Sequence, residues 1–203
     1  TLTYGILSSV DNIIITINSI SGIVNLTPSQ NFNGIRYAIF FANDSENITY
    51  SNNVTLNVTP VNDIPTISNL MLNNTDFLNR TNGSLITGWT FSDIDGDLQQ
   101  NNQTRWYING IENESFRNQT SIAHQNTTKN QNWIFSVQVF NADDASNFVN
   151  GSNITINNAV PTQSIPLITS NDDQNRKNGT LTCSNQSTSD LDNDAVTNFI
   201  KWF

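Results

Sequence analysis

Apolar and polar residues alternate along much of this chain. In Trp133-Ile134-Phe135-Ser136-Val137-Gln138-Val139-Phe140, Trp133, Phe135, Val137 and Val139 share one parity, while Ser136 and Gln138 fall on the other. That is the period of a strand with one buried face. Asn53-Val54-Thr55-Leu56-Asn57-Val58-Thr59, Asn153-Ile154-Thr155-Ile156 and Val24-Asn25-Leu26 alternate in the same way. Asn, Gly, Asp and Pro interrupt these runs, so the pattern predicts strands around 66–72, 83–91, 104–109, 121–125, 133–140 and 152–157. No segment carries a 3.6-residue apolar period, and no helix is expected. Many short strands in a module of about 100 residues predict an all-β fold of the β-sandwich kind.

The pattern also repeats. Displaced by 96 positions, Pro65-Thr66 falls on Pro161-Thr162, and Asn79-Arg80-Thr81-Asn82-Gly83-Ser84-Leu85 falls on Asn175-Arg176-Lys177-Asn178-Gly179-Thr180-Leu181. One residue later in phase, Ser92-Asp93-Ile94-Asp95-Gly96-Asp97 matches Ser189-Asp190-Leu191-Asp192-Asn193-Asp194. Trp106-Tyr107 then corresponds to Trp202-Phe203. Thr1-Leu2-Thr3-Tyr4 looks like the strand that follows such an acidic turn, and Ala42-Asn43-Asp44 is aligned with Ala142-Asp143-Asp144. The expected organisation is a unit at 1–62 lacking its early strands, a complete unit at 63–160, and the early strands of a third at 161–203.

These residues carry a family resemblance. Gly22-Ile23-Val24-Asn25-Leu26-Thr27-Pro28, Asn31-Phe32-Asn33-Gly34, Ala42-Asn43-Asp44 and Val54 to Pro65 resemble the cadherin-like tandem repeats of large prokaryotic surface proteins. The middle unit, with S-D-I-D-G-D, R-W-Y-I-N-G and I-T-I-N-N-A-V-P, resembles the related immunoglobulin-like repeats of archaeal and bacterial surface proteins. Together they span nearly the whole chain. The resemblance implies tandem sandwiches at a cell surface, where such repeats serve as stalks, adhesins, lattice walls and enzyme appendages. It places Trp106 in the core.

Composition narrows the function classes. The 203 residues are 36% hydrophobic and only 12% charged, with a net charge of −9. Eight Lys and Arg, spread singly, offer no basic stripe for nucleic acid and no patch for anionic lipid. The apolar stretch Tyr37–Ala42 is too short to span a bilayer, and no basic leader with an apolar core opens the sequence. An export signal or anchor is therefore expected outside this chain. The lone Cys183 excludes an internal disulfide framework. It is expected to act as a small buried hydrophobe, and the lone His124 as a polar loop residue.

Asparagine is the anomaly. The chain has 36 Asn and 43 Ser plus Thr, from which chance placement gives about seven or eight N-x-[ST] sequons. There are sixteen, at Asn25, Asn43, Asn47, Asn53, Asn57, Asn73, Asn79, Asn82, Asn102, Asn113, Asn118, Asn126, Asn150, Asn153, Asn178 and Asn185. The excess points to N-linked glycans and an extracellular location. Strand parity puts Asn53, Asn57 and Asn153 on the solvent face, where occupancy is expected first.

Asp93, Asp95 and Asp97 crowd three carboxylates around Gly96, which repel unless a cation lies among them. Ca²⁺, with six to eight oxygen ligands, is the candidate. Similarity to cadherins implies further ligands from Asn62 and Asp63 of the linker and from Asp143 and Asp144 of the following unit. Pro60 stands where the cadherin linker has its first acidic residue, so at most one site per junction is expected. At the second junction Ala159 replaces Asp63, leaving Asn158, Asp190, Asp192 and Asp194, and this second site is expected to be the poorer. The competing explanation is turn chemistry without any ion.

No catalytic constellation stands out, and the carboxylates recur from unit to unit, so a non-enzymatic protein is expected. The leading expectation is a glycosylated structural component of an extracellular filament, stalk or surface layer, in an archaeon or other prokaryote. Its partners would be neighbouring repeats or copies of itself, the latter by head-to-tail strand complementation. The alternative is an adhesin or carbohydrate-binding module. That reading needs exposed aromatics, for which Trp89, Trp133 and Phe148 are candidates, although their positions suit a core better.

Overall fold

The alternation is realised as nineteen β-strands and two single-turn 3-10 helices, with no α-helix, in a computed structural model that describes Thr1–Phe203. The fold is all-β, built from several small sheets whose strands pair antiparallel. No helix is long and apolar enough to cross a membrane. Two compact units emerge, one of Thr1–Asp63 with Asp93–Asp97, the other of Ile64–Ser92 with Leu98–Phe203.

Unit 1 contains β1 (Thr3–Ile6), β2 (Ile13–Ile17), β3 (Val24–Pro28), β4 (Gly34–Ala38), β5 (Phe40–Asn43), β6 (Ile48–Tyr50) and β7 (Val54–Val58). They form a three-stranded sheet, β1-β5-β6, and two pairs, β2-β3 and β4-β7. Its core is thin. Ile13, Ala38 and Leu56 are the buried members, with Ile6, Val10, Ile15, Phe32, Phe40, Val54 and Val58 packed around them. Every residue of β3 is exposed.

Unit 2 opens with a long hairpin, β8 (Thr66–Asn74) and β9 (Leu85–Ser92), followed by β10 (Asn101–Ile108), β11 (Ile111–Glu112), β12 (Ser121–Ile122), β13 (Asn132–Phe140), β14 (Val149–Asn150) and β15 (Ile154–Thr155). One sheet runs β12-β9-β8 and the other β11-β10-β13-β14, with β15 also on β13. Both sheets contribute to a single core. Leu72 and Leu85 from the hairpin and Ile122 from β12 pack with Trp106, Trp133, Phe135, Val137, Val139, Ile154 and Ile156. Trp106 and Trp133 meet edge to face, with ring centroids 6.0 Å apart. Their indole N–H groups donate to the Gln119 carbonyl (2.9 Å) and to Gln131 Oε1 (3.0 Å), which removes the penalty of burying a polar handle. Full burial of each such side chain stabilises by about 1.5–3 kcal/mol.

Beyond residue 160 the chain forms β16 (Thr162–Gln163), β17 (Leu167–Ser170), β18 (Leu181–Ser184) and β19 (Thr188–Ser189), paired as β16-β19 and β17-β18. The β17-β18 hairpin copies the register of β8-β9. Asn74 faces Leu85 and Leu72 faces Thr87, while Ser170 faces Leu181 and Ile168 faces Cys183, each pair 96 positions on. The connecting turns match too, with Asn79 and Asn175 both at positive φ (57° and 52°). Gly83 and Gly179 leave no room for a Cβ beside Asn74 and Ser170 respectively.

Three sequence expectations need correction. Ser136, expected to face solvent, is buried: β13 is flanked on both sides, with Arg105 and Asn150 directly across from Ser136, and the Arg105 guanidinium lies over the Phe148 ring. Cys183 is only half-buried, because the β17-β18 pair has no further strand beside it. Asp44 occupies the place of Asn141, not of Asp144: Asp44 Oδ1 accepts from the N–H groups of Glu46 and Asn47, as Asn141 Oδ1 does from Asp143 and Asp144.

The two-sheet core predicts a sharp contrast. Trp133→Ala is expected to cost about 3–5 kcal/mol in urea unfolding, against under about 0.5 kcal/mol for Ile86→Ala on the exposed face of β9.

Candidate functional site

The two acidic turns share one local construction. After β9, Asp93 Oδ1 accepts from the N–H groups of Asp95 (2.9 Å) and Asp97 (3.4 Å). After β19, Asp190 Oδ1 accepts from Asp192 (2.8 Å) and Asp194 (3.2 Å). Both loops pass through a left-handed residue, Gly96 at φ 83° and Asn193 at φ 59°. Glycine takes that conformation without a Cβ penalty and asparagine is the side chain that best tolerates it. This explains why D-x-D-G-D can become D-x-D-N-D without losing the turn.

The middle carboxylate reaches away from its own loop. Asp95 Oδ2 accepts the backbone N–H of Asp63 at 2.7 Å, and Asp192 Oδ2 accepts that of Ala159 at 2.6 Å. The contact is made to the backbone, so replacement of Asp63 by Ala159 leaves it intact. Each D-x-D turn thus works as a latch: the first Asp shapes the loop and the second holds the segment that precedes the same hairpin.

Among the predicted metal ligands, the structure brings three together. Carboxylate oxygens of Asp190, Asp192 and Asp194 lie within 4.8 Å of one another; this is the turn expected to be the poorer site, and it is the better clustered. A cation from the protein is already there, since Lys129 Nζ donates to Asp194 Oδ1. That hydrogen bond, and then the charges of Asp194, Asp192 and Asp190, push the Lys129 ammonium above its ordinary range. Asp143 and Asp144 belong to the tight turn capped by Asn141 in unit 2. Asn62 and Asp63 lie on the exposed segment before β8.

No sequon Asn is buried. Asn25, Asn47, Asn53, Asn57, Asn73, Asn82, Asn118, Asn126, Asn150, Asn153, Asn178 and Asn185 are exposed, and Asn43, Asn79, Asn102 and Asn113 are half-buried. Leu56 and Ile154 are buried beside the exposed Asn57 and Asn153, as strand parity requires.

Sequence reasoning missed a second use of asparagine. Of the eleven non-glycine residues at positive φ, nine are Asn. Asn43 Oδ1 accepts from the Ser45 N–H (2.7 Å), and Asn113 Oδ1 from the Ser115 N–H (3.1 Å). The abundance of Asn at chain reversals was the available signal.

The candidate aromatic platform does not assemble. Trp133 is in the core, Trp89 packs against it, and Phe148 stacks on Arg105 at 3.9 Å. No protein-family model and no curated protein matches this sequence, so the cadherin-like and immunoglobulin-like resemblance rests on the quoted residues alone.

Two predictions concern these turns. Lys129→Met should tighten Ca²⁺ binding at Asp190, Asp192 and Asp194 by removing the resident cation, and Asp192→Ala should abolish it and lower stability by about 1 kcal/mol. Calorimetric Ca²⁺ titration and urea unfolding read these out; unchanged affinity in Lys129→Met would refute the competition. The second concerns acid. The N–H groups of Asn47 and then Glu46 hold the Asp44 carboxyl below the usual carboxylate range. The Arg176 side chain, followed by the Gln174 N–H, does the same for Asp172. A depressed folded pKa contributes stability above the unfolded value and loses it as pH falls through the folded one. Amide NMR signals of Asn47 and Gln174 should therefore hold steady from neutral pH down to about 4 and move only in stronger acid.

Proposed function

We propose that this chain is a non-enzymatic structural section of an extracellular assembly, a glycosylated filament, stalk or surface layer, built from tandem cadherin-like or immunoglobulin-like sandwiches. The observation that carries this reading is the hairpin that recurs in the same register 96 positions along the chain, together with the acidic latch that recurs with it. A module copied with its turns, caps and linker contact is what a one-dimensional array requires, because each repeat must present the same ends to its neighbours.

Boundaries at 62/63 and 160/161 follow from that repeat. The accessible sequons supply acceptors for an N-glycan coat, with an archaeal or other prokaryotic surface as its setting. Ca²⁺ at the second acidic turn would replace Lys129 as counter-ion and stiffen the latch. The alternative, an adhesin or carbohydrate-binding module, is less favoured because Trp133 is in the core and Trp89 packs against that core.

The deciding measurement is the mass of natively produced protein before and after glycan removal, with peptide mapping. Glycans on Asn53, Asn57 and Asn153, and further sandwich units in the bare polypeptide, are expected. Unmodified peptides at all three positions would remove the glycan coat from the proposal.

A further inference from the structure

We infer that the N-glycans on Asn53 and Asn57 lie along the outer face of the β4-β7 pair, the C–H face of a linking pyranose packed on Tyr37 and Ile35, so that these sugars belong to the packing of unit 1. The inference rests on the glycosylation proposed above. Strand parity sets the geometry. Ala38 and Leu56 are buried in the core of unit 1, and Val54 and Val58 pack against them. The residues between these, Ile35, Tyr37, Thr55 and Asn57, fall on the opposite face and are all exposed. Asn57 stands directly across from Ile35, and Thr55 directly across from Tyr37. Cβ atoms of such partners are about 5 Å apart, and diagonal neighbours are about 7–8 Å apart. Tyr37 is therefore flanked on one diagonal by Asn57 and, where the register runs one residue past β7, on the other by Asn53.

This stretch of the outer face is apolar where water would otherwise meet it. Ile35 is 52% and Tyr37 57% exposed, and Asn53, Thr55 and Asn57 around them bear no charge, so a neutral sugar strands no ion away from water. In unit 2 the strand face turned from the core is polar, with Gln103 opposite Gln138 and Arg105 opposite Ser136, and Phe148 stacked on Arg105. Further along the face in unit 1, Phe41 and Tyr50 meet edge to face at 6.4 Å, and Phe41 rests on Gly5, which leaves no room for a Cβ beneath the ring. Those rings shield each other, whereas Ile35 and Tyr37 have sequon asparagines beside them. A pyranose is amphipathic as tyrosine is: its ring C–H groups form an apolar face, and its hydroxyls form the rim. Stacked on Tyr37, it removes apolar area from water, while its hydroxyls stay hydrated or meet those of Tyr37 and Thr55. The sugar is joined to a neighbouring residue, so the contact forms without the entropy loss of bringing two molecules together.

NMR and hydrogen exchange of the natively glycosylated chain test this, with peptide mapping of Asn53, Asn57 and Asn153. Ring protons of the linking sugar on Asn57 should be shifted upfield and show nuclear Overhauser contacts to the Tyr37 ring; these wild-type contacts need no variant. Backbone amides of β4 and β7 should exchange more slowly than after glycan removal. Tyr37→Ser should abolish both the upfield shift and the slowed exchange while Asn57 stays occupied, and made without glycans it should exchange as the bare wild-type chain does, which shows that it is folded. An occupied Asn57 whose sugar protons keep their free-solution shifts, with no contact to Tyr37, overturns the inference and leaves the glycosylated array standing. Slowed exchange that persists in glycosylated Tyr37→Ser overturns it as well, as does a bare Asn57 beside a glycosylated Asn153. Bare peptides at all three asparagines remove the glycan coat itself, and the inference with it.

Discussion

Every reversal of direction exposes backbone N–H groups that a strand would otherwise satisfy, and this chain reverses after every few residues. The rest of the structure depends on how those groups are satisfied. The recurrent answer is a side-chain amide or carboxylate oxygen placed at the start of the turn. Asn18, Asn43, Asp44, Asn74, Asp76, Asp93, Asn141, Asp172 and Asp190 all accept from N–H groups two to four residues ahead. Strands of four or five residues are viable only because their ends are closed locally, and the packed face of unit 2 is presented by strands so terminated.

The units differ in how much apolar surface they cover. Unit 2 interlocks Trp106, Trp133 and Phe135 between two sheets. Unit 1 buries far smaller side chains, Ile13, Ala38 and Leu56, and leaves Leu26, Ile35, Tyr37 and Tyr50 exposed. Since hydrophobic stabilisation grows with buried apolar area, unit 1 taken by itself is the weaker of the two. Its openness goes with its pairing, since β2-β3 and β4-β7 are two-stranded pairs.

Much of the fold was legible in the sequence where one face is buried. The alternation through β13 identified Trp133, Phe135, Val137 and Val139 correctly, and the repeat shift of 96 recovered the hairpin register. Legibility failed where a residue's environment is set by its neighbours in the sheet and not by parity. Ser136 is covered by strands on both sides, and Cys183 is left open because its hairpin stands alone. The predicted strand at 121–125 is cut to Ser121–Ile122 by a 3-10 turn at His124–Asn126. For the acidic turns, spacing pointed to carboxylates that crowd together, but the closest cluster is Asp190, Asp192 and Asp194, not the first turn. Lys129 lies 65 positions from Asp194 in sequence, and the latch to Asp63 and Ala159 is made to the backbone, which no side-chain motif records.

The same turn chemistry bears on how a sugar would leave the surface. An asparagine offers two unlike atoms: Oδ1, which closes the turn, and the amide nitrogen, through which an N-glycan is attached. At Asn43 and Asn113 the oxygen is already committed to a backbone N–H, so the plane of the amide is fixed by the fold. A glycan joined there would depart in a set direction, splayed by the turn beneath it, and the protein would decide the orientation of its coat as well as its sites.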